Sequence, residues 1–182
     1  IIFRTKPQVI VELGIAWGGT TMFIDSFHRG DIIGVDLQIP DHLREAVTLK
    51  SNIRFLIGDS VLSADIVKKF VGDRSCMVIV DSMHTHEHVL AELKAYSSLV
   101  SSGCYIVVCD TLVDDARYHA DGRARNRPWG PGNSPRSALN QFLEENQDFE
   151  RDEDIRNKLL FSCQPDGYIS VSYTHLTLPT KR

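Results

Sequence analysis

Val9-Ile10-Val11-Glu12-Leu13-Gly14-Ile15-Ala16-Trp17-Gly18-Gly19-Thr20 is the stretch that decides the fold of this chain. An apolar run ends on a carboxylate, breaks into a glycine-rich turn and resumes as a helical pattern from Thr20. A second apolar run, Ile32-Ile33-Gly34-Val35, then ends at Asp36. Strand, glycine turn, helix, strand, acid is the layout of a nucleotide-type cofactor site. Glycine lets the backbone approach a ligand with no Cβ in the way. An acid at the second strand end accepts hydrogen bonds from ribose hydroxyls.

The turn also discriminates between cofactors. Ala16 stands where the dinucleotide fingerprint G-x-G-x-x-G has its middle glycine, and Glu12 lies two residues before Gly14. A pyrophosphate favours helix N-terminal amides with no carboxylate nearby. S-adenosylmethionine carries a sulfonium, an ammonium and a single carboxylate, so it tolerates Glu12. The spacing E-x-G-x-x-x-G therefore favours this methyl donor over NAD. The competing reading is a tight strand-to-helix turn in a plain α/β domain, with Glu12 capping an exposed end.

Outward from the turn, apolar runs alternate with amphipathic segments. The patterns predict strands at 9–13, 32–35, 53–57, 76–80 and 105–109, with helices at 20–27, 42–49, 61–70 and 88–99. Strands separated by helices of crossover length imply an α/β fold. It is a Rossmann-like, doubly wound, mostly parallel sheet with helices on both faces. Ligands of such sheets sit beyond the strand C-termini. The last third differs. Residues 112–136 are polar and rich in Gly, Pro and Arg, which reads as a lid or as solvated surface. Ser134 then opens a helix through Glu145, with Pro135 in a tolerated first-turn position. Segments 148–151 and 158–163 read as closing strands joined by an acidic turn.

With 182 residues and 42% apolar content, the chain has the make-up of one globular domain, assigned to residues 1–170. Its net charge of −4 argues against nucleic acid or an anionic membrane as the main partner. Four cysteines without a C-x-x-C pair suggest reduced, buried thiols and a cytoplasmic setting. The absence of an initial Met suggests N-terminal truncation. The segment 171–182 fits no structural pattern and is expected to be a non-native tail. The oligomeric state is left open, a homo-oligomer included.

The strand ends carry the chemistry. In order they present Glu12, Asp36, the segment Gly58-Asp59-Ser60, Asp81 and Asp110. Carboxylates gathered at one sheet edge repel each other unless ligand hydroxyls, amines or a metal take up the charge. The expected cofactor site therefore comprises Glu12, Gly14, Ala16, Gly18, Asp36, Asp59, Ser60 and Asp81. In Asp81-Ser82-Met83-His84-Thr85-His86-Glu87-His88, both Asp81 and His84 leave one strand end toward the crevice. A histidine there can take a proton from a substrate hydroxyl. His84 and His88 on one helix face would also suit a metal, whereas His86 and His88 read more simply as the solvated first turn of a helix.

These segments resemble one family. Val11–Thr20, Gly58-Asp59-Ser60, Asp81–Val89, Glu92-Leu93-Lys94-Ala95-Tyr96, Asp110-Thr111 and Gly130-Pro131 match, in order, the cephalosporin hydroxylases and the closely similar rhamnosyl O-methyltransferases. The resemblance runs to about Ile169. It implies a class I methyltransferase fold, with Glu12, Gly14, Gly18 and Asp36 holding S-adenosylmethionine and Asp59 near the adenine. It also implies Mg²⁺ at Asp81, Cys109 and Asp110. Cys109 departs from the pattern, which has Glu before that aspartate, and Met83 stands where an acid is usual. A thiol is a poor ligand for a hard cation, so Cys109 counts against Mg²⁺ and leaves Asp81 and Asp110 as its candidate ligands.

The expected activity is methyl transfer from S-adenosylmethionine to a hydroxyl of a sugar or other small polar natural product. His84 is the expected base, and Asp81 helps to orient the hydroxyl. Two alternatives remain at this point: a catalytically degenerate cofactor-binding domain and an NAD-linked oxidoreductase.

Overall fold

In a computed structural model, which describes residues 1–115, 126–159 and 161–171, a seven-stranded sheet organises the chain. Its strands are β1 (Val9–Leu13), β2 (Asp31–Asp36), β3 (Ile53–Ile57), β4 (Cys76–Val80), β5 (Tyr105–Val108), β6 (Phe149–Arg151) and β7 (Tyr168–Val171). Their order across the sheet is β3-β2-β1-β4-β5-β7-β6. The first five run parallel, and β7 inserts antiparallel between β5 and β6. Every residue of β1, β4 and β5 is buried, the signature of parallel strands covered on both faces. Their Val and Ile content suits a pleated surface with no solvent side. The edge strand β3 is half-exposed and carries Arg54, whose guanidinium lies 4.2 Å from the centroid of the Phe70 ring. A charge on an edge strand discourages pairing with another chain.

The helices are α1 (Ile2–Thr5), α2 (Gly19–Asp25), α3 (Asp41–Val47), α4 (Ala64–Val71), α5 (His86–Tyr96), α6 (Pro135–Glu145) and α7 (Glu153–Lys158). Helix α5 buries Val89, Glu92, Leu93 and Tyr96, positions three or four apart that form one face. Val67 and Val71 of α4, together with Ala138, Leu139 and Phe142 of α6, join the strands in the main core. A second, small core of Ile15, Ile39 and Leu43 lies against the glycine turn. Helix α6 opens with a capping box. The Ser134 hydroxyl accepts from the Ser137 amide, the Ser137 hydroxyl accepts from the Ser134 amide, and Pro135 occupies the first turn.

The sequence reading of the C-terminal third needs a correction. Residues 153–158 form a helix, not an acidic turn, and the described residues of 158–163 form no strand. Asp152 caps α7 by accepting from the Ile155 amide, with acids in the first turn and Arg156 and Lys158 in the last. Both charge placements favour a helix. The closing strand is instead the alternating segment Tyr168-Ile169-Ser170-Val171. Part of the expected lid, 116–125, and tail residues 172–182 lie outside the described residues. Among the described residues, no helix is long and apolar enough to cross a membrane.

Candidate active site

Strand order reverses between β1 and β4, and open α/β sheets bind ligands beyond the strand carboxyl ends at such a reversal. A crevice of about 390 Å³ lies there, lined by Gly14, Ala16, Asp36, Asp59, Ser60 and Asp81. Met83, His88 and Trp129 also line it.

The glycine turn is shaped by the strand ends around it. Gly14 has φ of +86° and donates its N–H to the Val35 carbonyl at 2.8 Å. A Cβ at this position would stand 2.2 Å from the Asp81 carbonyl oxygen, so no larger residue fits. The Asp36 Oδ2 accepts from the Ile15 and Ala16 amides at 2.7 and 3.0 Å, and Oδ1 accepts from the Gln38 amide at 3.2 Å. The acid that ends β2 therefore folds the turn as well as bordering the crevice. Gly18, at φ +79°, precedes α2 and faces Leu43 rather than the crevice wall.

Glu12 lies beneath the turn. It is 1% exposed, and its Oε2 accepts a hydrogen bond from the Thr21 hydroxyl of α2. Burial pushes its pKa up to about 7 against that hydrogen bond, with the charges of Asp81 and Asp36 adding to the rise.

On the β3 side, the Asp59 Oδ1 accepts from the Leu62 amide at 3.0 Å. The Ser60 hydroxyl meets His88 Nε2 at 3.1 Å, and the Ser60 carbonyl accepts from the Tyr96 hydroxyl at 2.6 Å. His88 Nε2 is also 3.3 Å from Glu92 Oε1, a fully buried carboxylate that accepts from the Ser82 hydroxyl at 2.6 Å. Glu92 holds the His88 pKa above its ordinary value. His88 thus lines the crevice instead of lying on a solvated first turn. His86 is not free either. Its amide donates to Asn133 Oδ1, and its ring nitrogens meet Ser137 Oγ and Gln141 Oε1, each at 2.8 Å. Sequence reading missed the part Glu92 plays, although its spacing four residues after His88 puts both on one helix face.

At the end of β4 the structure brings Asp81, His84 and Asp110 together, with ligand atoms all within 4.8 Å of one another. His84 Nδ1 is 2.8 Å from the Ser82 carbonyl, which can only accept, so that nitrogen carries a proton. The titrating nitrogen is therefore Nε2, 2.8 Å from Asp110 Oδ2 and 3.9 Å from Asp81 Oδ1. Burial pulls the His84 pKa down, but the Asp110 hydrogen bond and the two carboxylate charges outweigh it, and the net shift is upward. Asp81 is pushed up to about 6 by burial and by Asp110, with His84 opposing. Asp110 adopts φ of +52°, an uncommon backbone for a side-chain-bearing residue.

Cys109 is not in this cluster, and burial drives its thiol well above the usual cysteine range, with Asp81 and Asp110 adding to the rise. A protonated thiol offers nothing to a hard cation. Two carboxylates and an imidazole do suit a divalent ion that keeps water at its open positions, and Asp81 and Asp110 supply the hard oxygens.

Sheet order and crevice together define a Rossmann-like domain of the class I methyltransferase type. Residues 1–171 match the family model described as rhamnosyl O-methyltransferase/CmcI, and the chain belongs to that family. The rhamnosyl O-methyltransferase of Mycobacterium tuberculosis H37Rv is 24% identical over 180 residues, 93% of this chain and 69% of that protein. The same-named protein of Mycobacterium leprae is 24% identical over 179 residues and 73% of its length. Among solved structures, the MycE methyltransferase of the mycinamycin pathway, in complex with Mg and SAH, superposes with a TM-score of 0.55 at 22% identity. That match covers 78% of this chain and 39% of MycE, so the chain spans about two fifths of that protein's length. CalS11, a TDP-rhamnose 3'-O-methyltransferase of calicheamicin biosynthesis, superposes at 0.53 and 16% identity over 75% of this chain and 63% of its own. At these identities the likeness is one of fold. The family resolves the choice the glycine turn left open in favour of the methyl donor over NAD.

Proposed function

We propose that this chain binds S-adenosylmethionine in the crevice between β1 and β4 and transfers its methyl group to a hydroxyl of a sugar. A rhamnose-type sugar is the acceptor class, in keeping with the named relatives. One observation carries the reading: the donor-type crevice ends at Asp81, beside which His84 and Asp110 are gathered.

The donor supplies a methyl already activated on a sulfonium, so the chain has mainly to align two partners and exclude water. Gly14 and Ala16 let the turn lie close to the donor. Asp36 and Asp59 accept from its ribose and adenine ends, while Ser60 braces that wall through His88. Asp81, which lines the crevice, supplies negative potential to a cationic ligand, while Glu12 lies buried beneath the turn and braces it through Thr21. The Ser82 carbonyl holds the ring at Nδ1, His84 takes the acceptor hydroxyl proton on Nε2, and Asp110 then accepts from Nε2–H of the imidazolium that results. Asp81 and Asp110 would hold Mg²⁺, which would polarise the acceptor hydroxyl.

Calorimetric titration with S-adenosylhomocysteine and with NAD, followed by methyl transfer to TDP-rhamnose, tests the reading. Binding of S-adenosylhomocysteine alone, with a methylated sugar product, is expected. Preference for NAD would overturn it. Donor binding without transfer to any sugar hydroxyl would make this a degenerate cofactor-binding domain, a reading that Cys109 favours.

A further inference from the structure

Met83 and Trp129 line the crevice together with Asp81 and His88. Met83 is 49% exposed, a large apolar side chain left open beside a polar cluster. The Trp129 ring lies 5.2 Å from the His84 ring, centroid to centroid, at an interplanar angle of 31°. Trp129 therefore stands beside the His84 ring, and Met83 lines the same crevice.

The turn that carries Trp129 is held from several directions. Gly130 and Asn133 exchange backbone hydrogen bonds of 2.9 Å, and the Asn133 side-chain amide donates to the Pro128 carbonyl at 2.7 Å. The other end of that amide accepts from the His86 amide at the start of α5. Asp114 Oδ1 accepts from the Gly132 amide at 2.9 Å and from the Ser134 hydroxyl at 2.6 Å. The Arg127 guanidinium sits 5.3 Å from the centroid of the indole. Such a turn presents its aromatic side chain already ordered, so little entropy remains to be lost when a ligand packs against it.

We propose that Met83 and Trp129 form the acceptor-positioning wall, which takes the carbon-bearing face of a deoxysugar ring and sets a ring hydroxyl at His84 Nε2. This rests on the methyl-transfer reading above. A pyranose presents patches of C–H on its ring, and a 6-deoxy sugar adds a methyl group. The methionine side chain and the face of the indole pack better against C–H and methyl than against an added hydroxyl. The pair thus selects by shape and polarity, and a contact of this size discriminates by roughly tenfold to a hundredfold.

The test compares the unaltered chain with Trp129→Ala, Trp129→Phe and Met83→Glu, using S-adenosylhomocysteine for binding and TDP-rhamnose and TDP-glucose as acceptors. For Trp129→Ala the expectation is a KM for TDP-rhamnose raised by about tenfold or more, with kcat kept within about threefold. The preference for TDP-rhamnose over TDP-glucose shrinks, and S-adenosylhomocysteine affinity changes much less than that KM; an equal loss of both would make Trp129 part of the donor site and overturn the wall. Trp129→Phe recovers most of the loss. Met83→Glu, at an exposed position that tolerates charge, raises the same KM. Unchanged KM values in Trp129→Ala and Met83→Glu overturn the wall. So does a fall in kcat with an altered pH profile at constant KM, because that would mean Trp129 only supports His84. Failure of the unaltered chain to bind S-adenosylhomocysteine instead overturns the donor reading itself, an outcome distinct from both.

Discussion

Burying Glu12 under the glycine turn ties folding stability to pH. An unfolded glutamate titrates near 4.5, whereas the folded chain holds this proton up to about 7. The stabilisation is therefore complete below the unfolded value and is lost as pH rises through about 7, an effect on the order of 1–3 kcal/mol. Glu12→Gln keeps an oxygen for the Thr21 hydroxyl and removes the titration. Urea midpoints of variant and parent should coincide near pH 4.5 and separate in favour of the variant at pH 8. His84 behaves differently, because its pKa is raised by a hydrogen-bonded partner. Replacing Asp110 with Asn removes that charge, so the acid limb of the kcat/KM profile should move to lower pH. His84→Ala should bind S-adenosylhomocysteine normally and turn over about a hundredfold more slowly or worse. At this scale the sequence showed which residues gather but not how they are used. A run of acids at strand ends announced Asp36, Asp59, Asp81 and Asp110. That Asp36 spends Oδ2 on two turn amides, or that Glu92 fixes His88, depends on side-chain directions that spacing does not encode.

Among the elements, α6 illustrates how a cap can serve two ends. Ser134 closes the helix start and also donates to Asp114, so it links α6 to the turn that bears Trp129. Ser134→Ala should cost about 1 kcal/mol in urea unfolding, because the cap of α6 and the hydrogen bond to half-buried Asp114 are lost together. The five parallel strands and the helices between them were legible because each is a long apolar run or a clear amphipathic repeat. Their boundaries moved by only a residue or a few. After α6, the strand at 149–151 was legible and the rest was not. A short acidic stretch reads equally as a turn or as the first turn of a helix, and only the Asp152 cap decides. The closing strand is a four-residue alternation, too brief to stand out before its neighbours are known.

For the molecule as a whole, burial and pairing set a gradient of stability. Amides of β1 and β4, covered on both faces and flanked by strands, should exchange with deuterium most slowly, and those of the edge strands β3 and β6 fastest. The doubly wound class followed from alternation alone. The antiparallel insertion at one side of the sheet did not, since it pairs segments far apart in the chain. That insertion has a consequence for the order of assembly. As the polypeptide leaves the ribosome, β1 to β5 emerge as strand–helix units that can pair with what has already been made. β6 cannot, because its neighbour in the sheet is β7, which is synthesised later and must slot between it and β5. The nascent chain therefore carries a bare β5 edge until Tyr168–Val171 are translated, and release from the ribosome before that point leaves an open template for aggregation.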